Sequence, residues 1–183
     1  MVKHPPFLRE RLFILRNLLI TILFFFLTGK AGAQDVREAN LKAVFIYNFT
    51  KYIDWDTSRA DNDFVIGVIG YSPVTGILNQ IARTNMAKNK RIVIRTFSKP
   101  EEIGGCNVLF IPGNIPYSLP SILERTGRGV LTISEEDGYA RQGSALNFVV
   151  INDKLKFEAN LKAIYSAGLR AGSQLLKLAI IID

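Results

Sequence analysis

Between Val36 and Ile53 the residues Leu41, Val44, Phe45, Asn48, Phe49 and Tyr52 recur at spacings of three and four, which predicts an amphipathic helix with that stripe against the core. A polar linker, Thr57 to Asp63, separates it from Phe64-Val65-Ile66-Gly67-Val68-Ile69, a short apolar run ending at Gly70, Ser72 and Pro73. A run of that length bounded by turn residues suits a strand covered on both faces. Pro73 follows where the first turn of a helix tolerates proline.

The alternation continues with a helix over Ile77 to Arg83, strands over Arg91 to Thr96 and Asn107 to Ile111, a helix over Ser118 to Arg125, and a strand over Gly129 to Ile133. Strands alternating with short helices imply parallel pairing through crossovers and helices on both faces of the sheet. Then the pattern changes. Ala145 to Ile151 and Lys154 to Glu158 are separated only by Asn152-Asp153, the turn chemistry of a tight antiparallel hairpin. Asn160 can cap a helix carrying Leu161, Ile164 and Tyr165 that stops at Gly168-Leu169, and Ser173 can cap another carrying Leu175, Leu176 and Ala179. The expected fold is α/β: a mostly parallel sheet with helices on both faces plus a C-terminal antiparallel hairpin.

The N-terminus follows a different rule. Lys3, Arg9, Arg11 and Arg16 precede the apolar run Leu18 to Leu27, and Ala31-Gly32-Ala33 follows, the basic, apolar and small-residue order of a cleaved secretory leader. The run is too short for a spanning helix, which needs about 20 apolar residues, so stable membrane insertion is not expected after cleavage. Residues 1–33 are therefore read as a leader cut after Ala33, and 34–183 as one exported domain. Leader removal lowers the net charge from +7 to +3, so the basic composition largely belongs to the leader. No clustered basic stripe points to a nucleic-acid partner. Cys106 is the only cysteine; it opens an apolar run, so a buried structural thiol is expected and no pairing within the chain.

The single histidine, His4, lies in the leader. Its absence from 34–183 excludes hydrolase triads built on histidine, phosphorelay through histidine and histidine-rich metal sites. Zinc held without histidine would need several cysteines, and the acidic runs Asp61-Asn62-Asp63 and Glu135-Glu136-Asp137 lack the spacing of a calcium loop. No cofactor motif and no catalytic set emerge. Gly70-Tyr71-Ser72-Pro73 follows a strand and precedes a helix but is neither a dinucleotide fingerprint nor a P-loop. If the sheet is parallel, Tyr71, Ser72, Ser98, Asn114 and Ser134 fall at strand ends along one edge, where a crevice for a small solute would lie. Asn48, Glu158 and Asn160 read as polar groups making structural hydrogen bonds. Tyr47, Tyr52 and Trp55 form an aromatic group at the end of the first helix, by default core and otherwise a partner surface.

The run from Leu41 through Tyr47-Asn48-Phe49-Thr50-Lys51-Tyr52 to Trp55 resembles the opening of the YfiR family (YfiR/HmsC-like). Gly67-Val68-Ile69-Gly70, Cys106 to Ile111, Val130 to Ser134, and Phe157-Glu158-Ala159-Asn160 continuing to Ser173 through Ala179 follow in the family's order. Asn107 stands where family members commonly carry histidine, and the further cysteines of many members are missing, so redox control through disulfides does not carry over. The resemblance implies a non-enzymatic periplasmic protein that represses the sensor domain of an inner-membrane signalling protein, a diguanylate cyclase or similar. A homodimer stays open. The rival expectation is a periplasmic module that binds a small solute in the strand-end crevice.

Overall fold

The computed structural model describes residues 31–55 and 62–182. The chain divides into two compact units, Met1–Arg37 and Glu38–Asp183. The leader's basic and apolar segments, and most of the expected linker, lie outside the described residues.

Helix α1 runs over Ala31–Tyr52 and leads into the two-residue strand β1, Ile53–Asp54. Then come β2 (Asp63–Ile69), α2 (Val74–Thr84), β3 (Met86–Ala87), β4 (Lys90–Phe97), a 3₁₀ turn over Pro100–Glu102, β5 (Val108–Ile111), α3 (Leu119–Leu123) and β6 (Leu131–Ser134). The rest is β7 (Leu146–Ile151), β8 (Lys154–Asn160), α4 (Leu161–Ser166), β9 (Arg170–Ala171), α5 (Ser173–Leu176) and β10 (Ile180–Ile182). Eight strands form one sheet in the order β10-β8-β7-β6-β5-β2-β4-β3. Neighbours from β7 through β6, β5 and β2 to β4 pair in parallel, β8 runs antiparallel to β7, and β3 antiparallel to β4. The expected α/β architecture is present, with its hairpin.

The central strands β2, β5 and β6 are buried at every position after Asp63, because both faces are covered. Phe64, Ile66 and Val68 of β2 and Val108 and Phe110 of β5 join Ala43, Ile46 and Phe49 of α1, Leu78 of α2, Ile164 of α4 and Leu175 of α5 in the larger core. Alternate residues Val65, Ile69, Leu109 and Ile111 face the other way, onto Leu119 and Ile122 of α3. The thiol of Cys106 is buried in this second core, as its place before an apolar run implied.

Turn chemistry decides the hairpin. Asn152 and Asp153 both hold positive φ, 51° and 57°, as a tight type I′ turn requires, and pairing runs from Ile151↔Lys154 to Leu146↔Ala159. The helix after Asn160 stops where expected. Gly168 has φ 76°, its N–H donates to the Tyr165 carbonyl, and the Leu169 N–H donates to the Ile164 carbonyl, the paired bonds of a glycine helix stop.

Several sequence expectations change. The buried stripe of α1 is Ala39, Ala43, Ile46, Phe49 and Thr50, whereas Leu41, Val44 and Tyr52 are exposed and Asn48 lies half-exposed, accepting from Lys51 Nζ at 3.1 Å. Small residues at 39 and 43 let the helix approach the sheet closely, so that Phe45 and Phe49 reach Phe148 and Phe157, with centroids 4.9 to 6.1 Å apart. Large apolar residues outweigh alanine in a periodicity count, hence the rotated phase. The short helix α5 is capped by Gly172, and Ser173 is its first residue. Strands β1, β3, β9 and β10 were not expected. Each has two or three residues: β1 pairs with the distant β9 and β10 pairs in parallel with β8, whereas β3 pairs with the start of β4 across the tight turn Lys88-Asn89, whose residues hold φ 50° and 60°.

Candidate functional site

The parallel strands order the carboxyl edge of the sheet around β2. The chain leaves β2 toward β4 on one side, then crosses to β5 on the other, so the switch point of the sheet lies between the ends of β2 and β5. Open α/β sheets hold ligands at such a point. Here Gly70, at φ 73°, turns the chain out of β2, and a Cβ on it would stand 3.1 Å from the Ile115 side chain, so Ile115 covers this turn.

Tyr71, 89% exposed, and exposed Asn114 flank the switch point. Ser72 is buried, its Oγ accepting from the Val74 N–H at 3.2 Å and its carbonyl from the Thr75 N–H, so it ties down the first turn of α2, whose N-cap position is Pro73. Ser98 is exposed, and its backbone ties the edge: its N–H donates to Glu102 at 2.8 Å, and its carbonyl accepts from the Tyr117 hydroxyl at 3.1 Å. Ser134 is fully buried, and its hydroxyl donates to Asn147 Oδ1 at 2.7 Å. The five residues share an edge without converging on one space.

Sequence reasoning missed two polar arrangements beside them. Asn147, fully buried, also donates from Nδ2 to Glu158 Oε2 at 3.1 Å, so Ser134, Asn147 and Glu158 form a hydrogen-bonded row across β6, β7 and β8, following the register Ser134↔Asn147↔Glu158. The second is the ion pair of Lys42 in α1 with Glu135, at 2.6 Å, and with Glu38, at 2.7 Å. Glu135 also accepts the Gly113 N–H at 3.0 Å, so α1 is tied to the ends of β5 and β6. Burial alone would lower the Lys42 pKa, but the hydrogen bonds and charges of Glu135 and Glu38 outweigh it and raise the ammonium above its ordinary range. Beside the pair lies a cleft of about 280 Å³ that Asp137, Val149 and Leu155 also line. The sign of Lys42 and its place on the first helix were visible in sequence, but not a partner on a remote loop.

At the other end of α1, Trp55 donates from its indole N–H to the carbonyls of Gly129, at 3.1 Å, and Asn107, at 3.3 Å, and stacks edge-on against Phe64 with centroids 5.1 Å apart. It clamps the entries of β5 and β6. Tyr47 is half-buried, with the Lys51 ammonium 4.4 Å from its ring centroid, and the Tyr52 ring is the most exposed of the three. Tyr52, Leu41 and Val44 form the apolar part of the outward face of α1.

This is a two-faced α/β domain whose side chains at the sheet edge and helix end are engaged mainly in holding elements together; among the described residues no group of three His, Cys, Asp or Glu is placed to hold a metal ion. The model of the YfiR/HmsC-like family matches residues 39–180, and the chain belongs to that family. Membership places it, at the level of the family, among periplasmic regulators of diguanylate cyclases, a regulatory and non-catalytic group. No curated protein matches the chain at a significant level. No helix among the described residues is long and apolar enough to cross a membrane.

Proposed function

We propose that the protein is exported through a leader cut after Ala33 and represses an inner-membrane diguanylate cyclase by binding its periplasmic sensor domain. The observation that carries this reading is the family match over 39–180, nearly the whole of the compact unit Glu38–Asp183. Repression is by contact and needs no chemistry of the chain's own. The outward face of α1 supports it, because Leu41, Val44 and Tyr52 are exposed on a helix whose other face is already buried. The solute-binding alternative is less well supported, since Ser72 and Ser134 are buried in structural hydrogen bonds.

Deleting the gene is expected to raise cellular cyclic-di-GMP, and the full-length chain to restore it. A version lacking Met1 to Ala33 is expected to accumulate in the cytoplasm and fail, with its abundance measured alongside. Full repression by a stable cytoplasmic version would refute contact in the periplasm. An unchanged cyclic-di-GMP level on deletion would refute the cyclase as target.

A further inference from the structure

Helix α1 starts at Ala31 and runs to Tyr52, so the cut after Ala33 falls within its first turn. Removal of the leader makes Gln34 the first residue of both the exported chain and its first helix. An α-ammonium placed there stands beside the partial positive charge of the unpaired N–H groups that begin every helix, an unfavourable position. Glutamine also has its own way of removing that charge. Its side-chain amide carbon lies at the distance from the α-amine that closes a five-membered ring.

The start of α1 tolerates such a change. Asp35, Val36 and Arg37 are exposed, and the first buried residue of the helix is Ala39, more than one turn beyond Gln34. The stripe that packs α1, Ala39, Ala43, Ile46 and Phe49, lies wholly past that point, so a reaction confined to residue 34 leaves the core as it is. The first N–H groups of a helix have no partner within it, so turning the amine into a ring amide breaks no hydrogen bond of α1.

We propose that Gln34, once bared by the cut, is converted to pyroglutamate in the cell. The neutral α-amine attacks the amide carbon Cδ, and the new N–C bond closes a five-membered lactam. The bond from Cδ to Nε2 breaks, and Nε2 takes the proton given up by the amine and leaves as ammonia. No oxidant, reductant or second substrate is consumed. An α-amine suits the step because its ordinary pKa, about 7.7–8.0, leaves part of it neutral near neutral pH. The product carries no charge at the helix start and offers aminopeptidases no free amine. The identity of the modified residue rests on the leader cut proposed above.

The test uses the full-length chain expressed in its native cells, released from the cell envelope by osmotic shock and measured at once by intact mass and stepwise N-terminal sequencing. The expected mass is that of residues 34–183 less one ammonia, and the blocked end yields no sequence. Treatment with a pyroglutamate-specific aminopeptidase is expected to remove one residue and open the sequence at Asp35. Gln34→Asn keeps an amide whose ring with the amine would have only four members, so that chain is expected to sequence openly from residue 34. An open amine on Gln34 overturns the inference while the cut after Ala33 stands. A ring that forms only while the purified chain is stored also overturns it, as does a blocked end in the Gln34→Asn chain, which would assign the block to another group. A chain that begins at any other residue overturns both the inference and the cut.

Discussion

Lys42 in α1 and Glu135, the residue after β6, meet at 2.6 Å with side chains only 14% and 18% exposed. The contact joins the helix to the carboxyl edge of the sheet and links through Glu135 to the Gly113 N–H. Lys42→Met leaves two partly buried carboxylates without their cation and is expected to destabilise the fold by about 1–3 kcal/mol. Glu135→Gln in that background should cost less than it does alone, a coupling that a double-mutant cycle measures. The folded pKa of Lys42 lies above its ordinary 10.5, so its contribution is fully present below that value and is lost as pH rises through the folded one. The stability difference between native and Lys42→Met chains should stay flat from neutral pH to about pH 10 and narrow above it.

The Ser134, Asn147 and Glu158 row predicts a cost out of proportion to side-chain size. Asn147→Ala removes the acceptor of the buried Ser134 hydroxyl and the donor to Glu158. Unfolding in urea should show a loss of about 1–3 kcal/mol, with Ser134→Ala costing less because it leaves Asn147 bonded to Glu158. Equal stability of Asn147→Ala and the native chain would remove the row from the account.

At the β7–β8 turn the expected change is a gain. Asp153 holds φ 57° and carries a Cβ, so Asp153→Gly, which creates Asn-Gly, should stabilise by about 0.5–1 kcal/mol. Asn152→Val, placing a β-branched residue at φ 51°, should destabilise by about 1 kcal/mol or more. Thermal midpoints that move the other way would mean that the turn does not set the register.

Gly67 lies in the middle of β2, where a Cβ would stand 2.6 Å from Cε2 of the Phe97 ring and 3.3 Å from the Leu109 side chain. Gly67→Ala is expected to cost about 1–3 kcal/mol through overpacking, and Phe97→Leu in the same chain to recover part of it. Stability unchanged by Gly67→Ala would show that the ring moves aside without cost.

How much was legible in the sequence depended on the range of the forces involved. The apolar runs of β2 and β5, the Asn152-Asp153 turn, the Asn160 cap and the Gly168 stop are local: neighbouring residues set the burial pattern or the backbone angles, so they could be read in order along the chain. Asn160 shows this well, since its Oδ1 accepts the Ala163 N–H at 2.9 Å, three residues on. The lack of histidine beyond His4 likewise restricted the chemistry without reference to any fold.

The phase of α1, the strands β1, β3, β9 and β10, the pairing of Lys42 with Glu135 and the row through Asn147 were decided only in three dimensions. A helix of mixed faces turns toward the side that packs best, and the small side chains of Ala39 and Ala43 win there by letting the phenylalanines of α1 reach the sheet. A strand of two or three residues has no periodicity of its own; β1, β9 and β10 exist because a distant edge supplies their hydrogen bonds, and β3 because the turn at Lys88-Asn89 folds it back on β4. Tyr71, Ser72, Ser98, Asn114 and Ser134 share an edge, as their positions after strands implied, but burial takes Ser72 and Ser134 into structural bonds because turning the chain leaves backbone groups that must be satisfied. Sequence alone established the class of domain and the resemblance to a family; which side chains remain facing outward was settled by long-range packing.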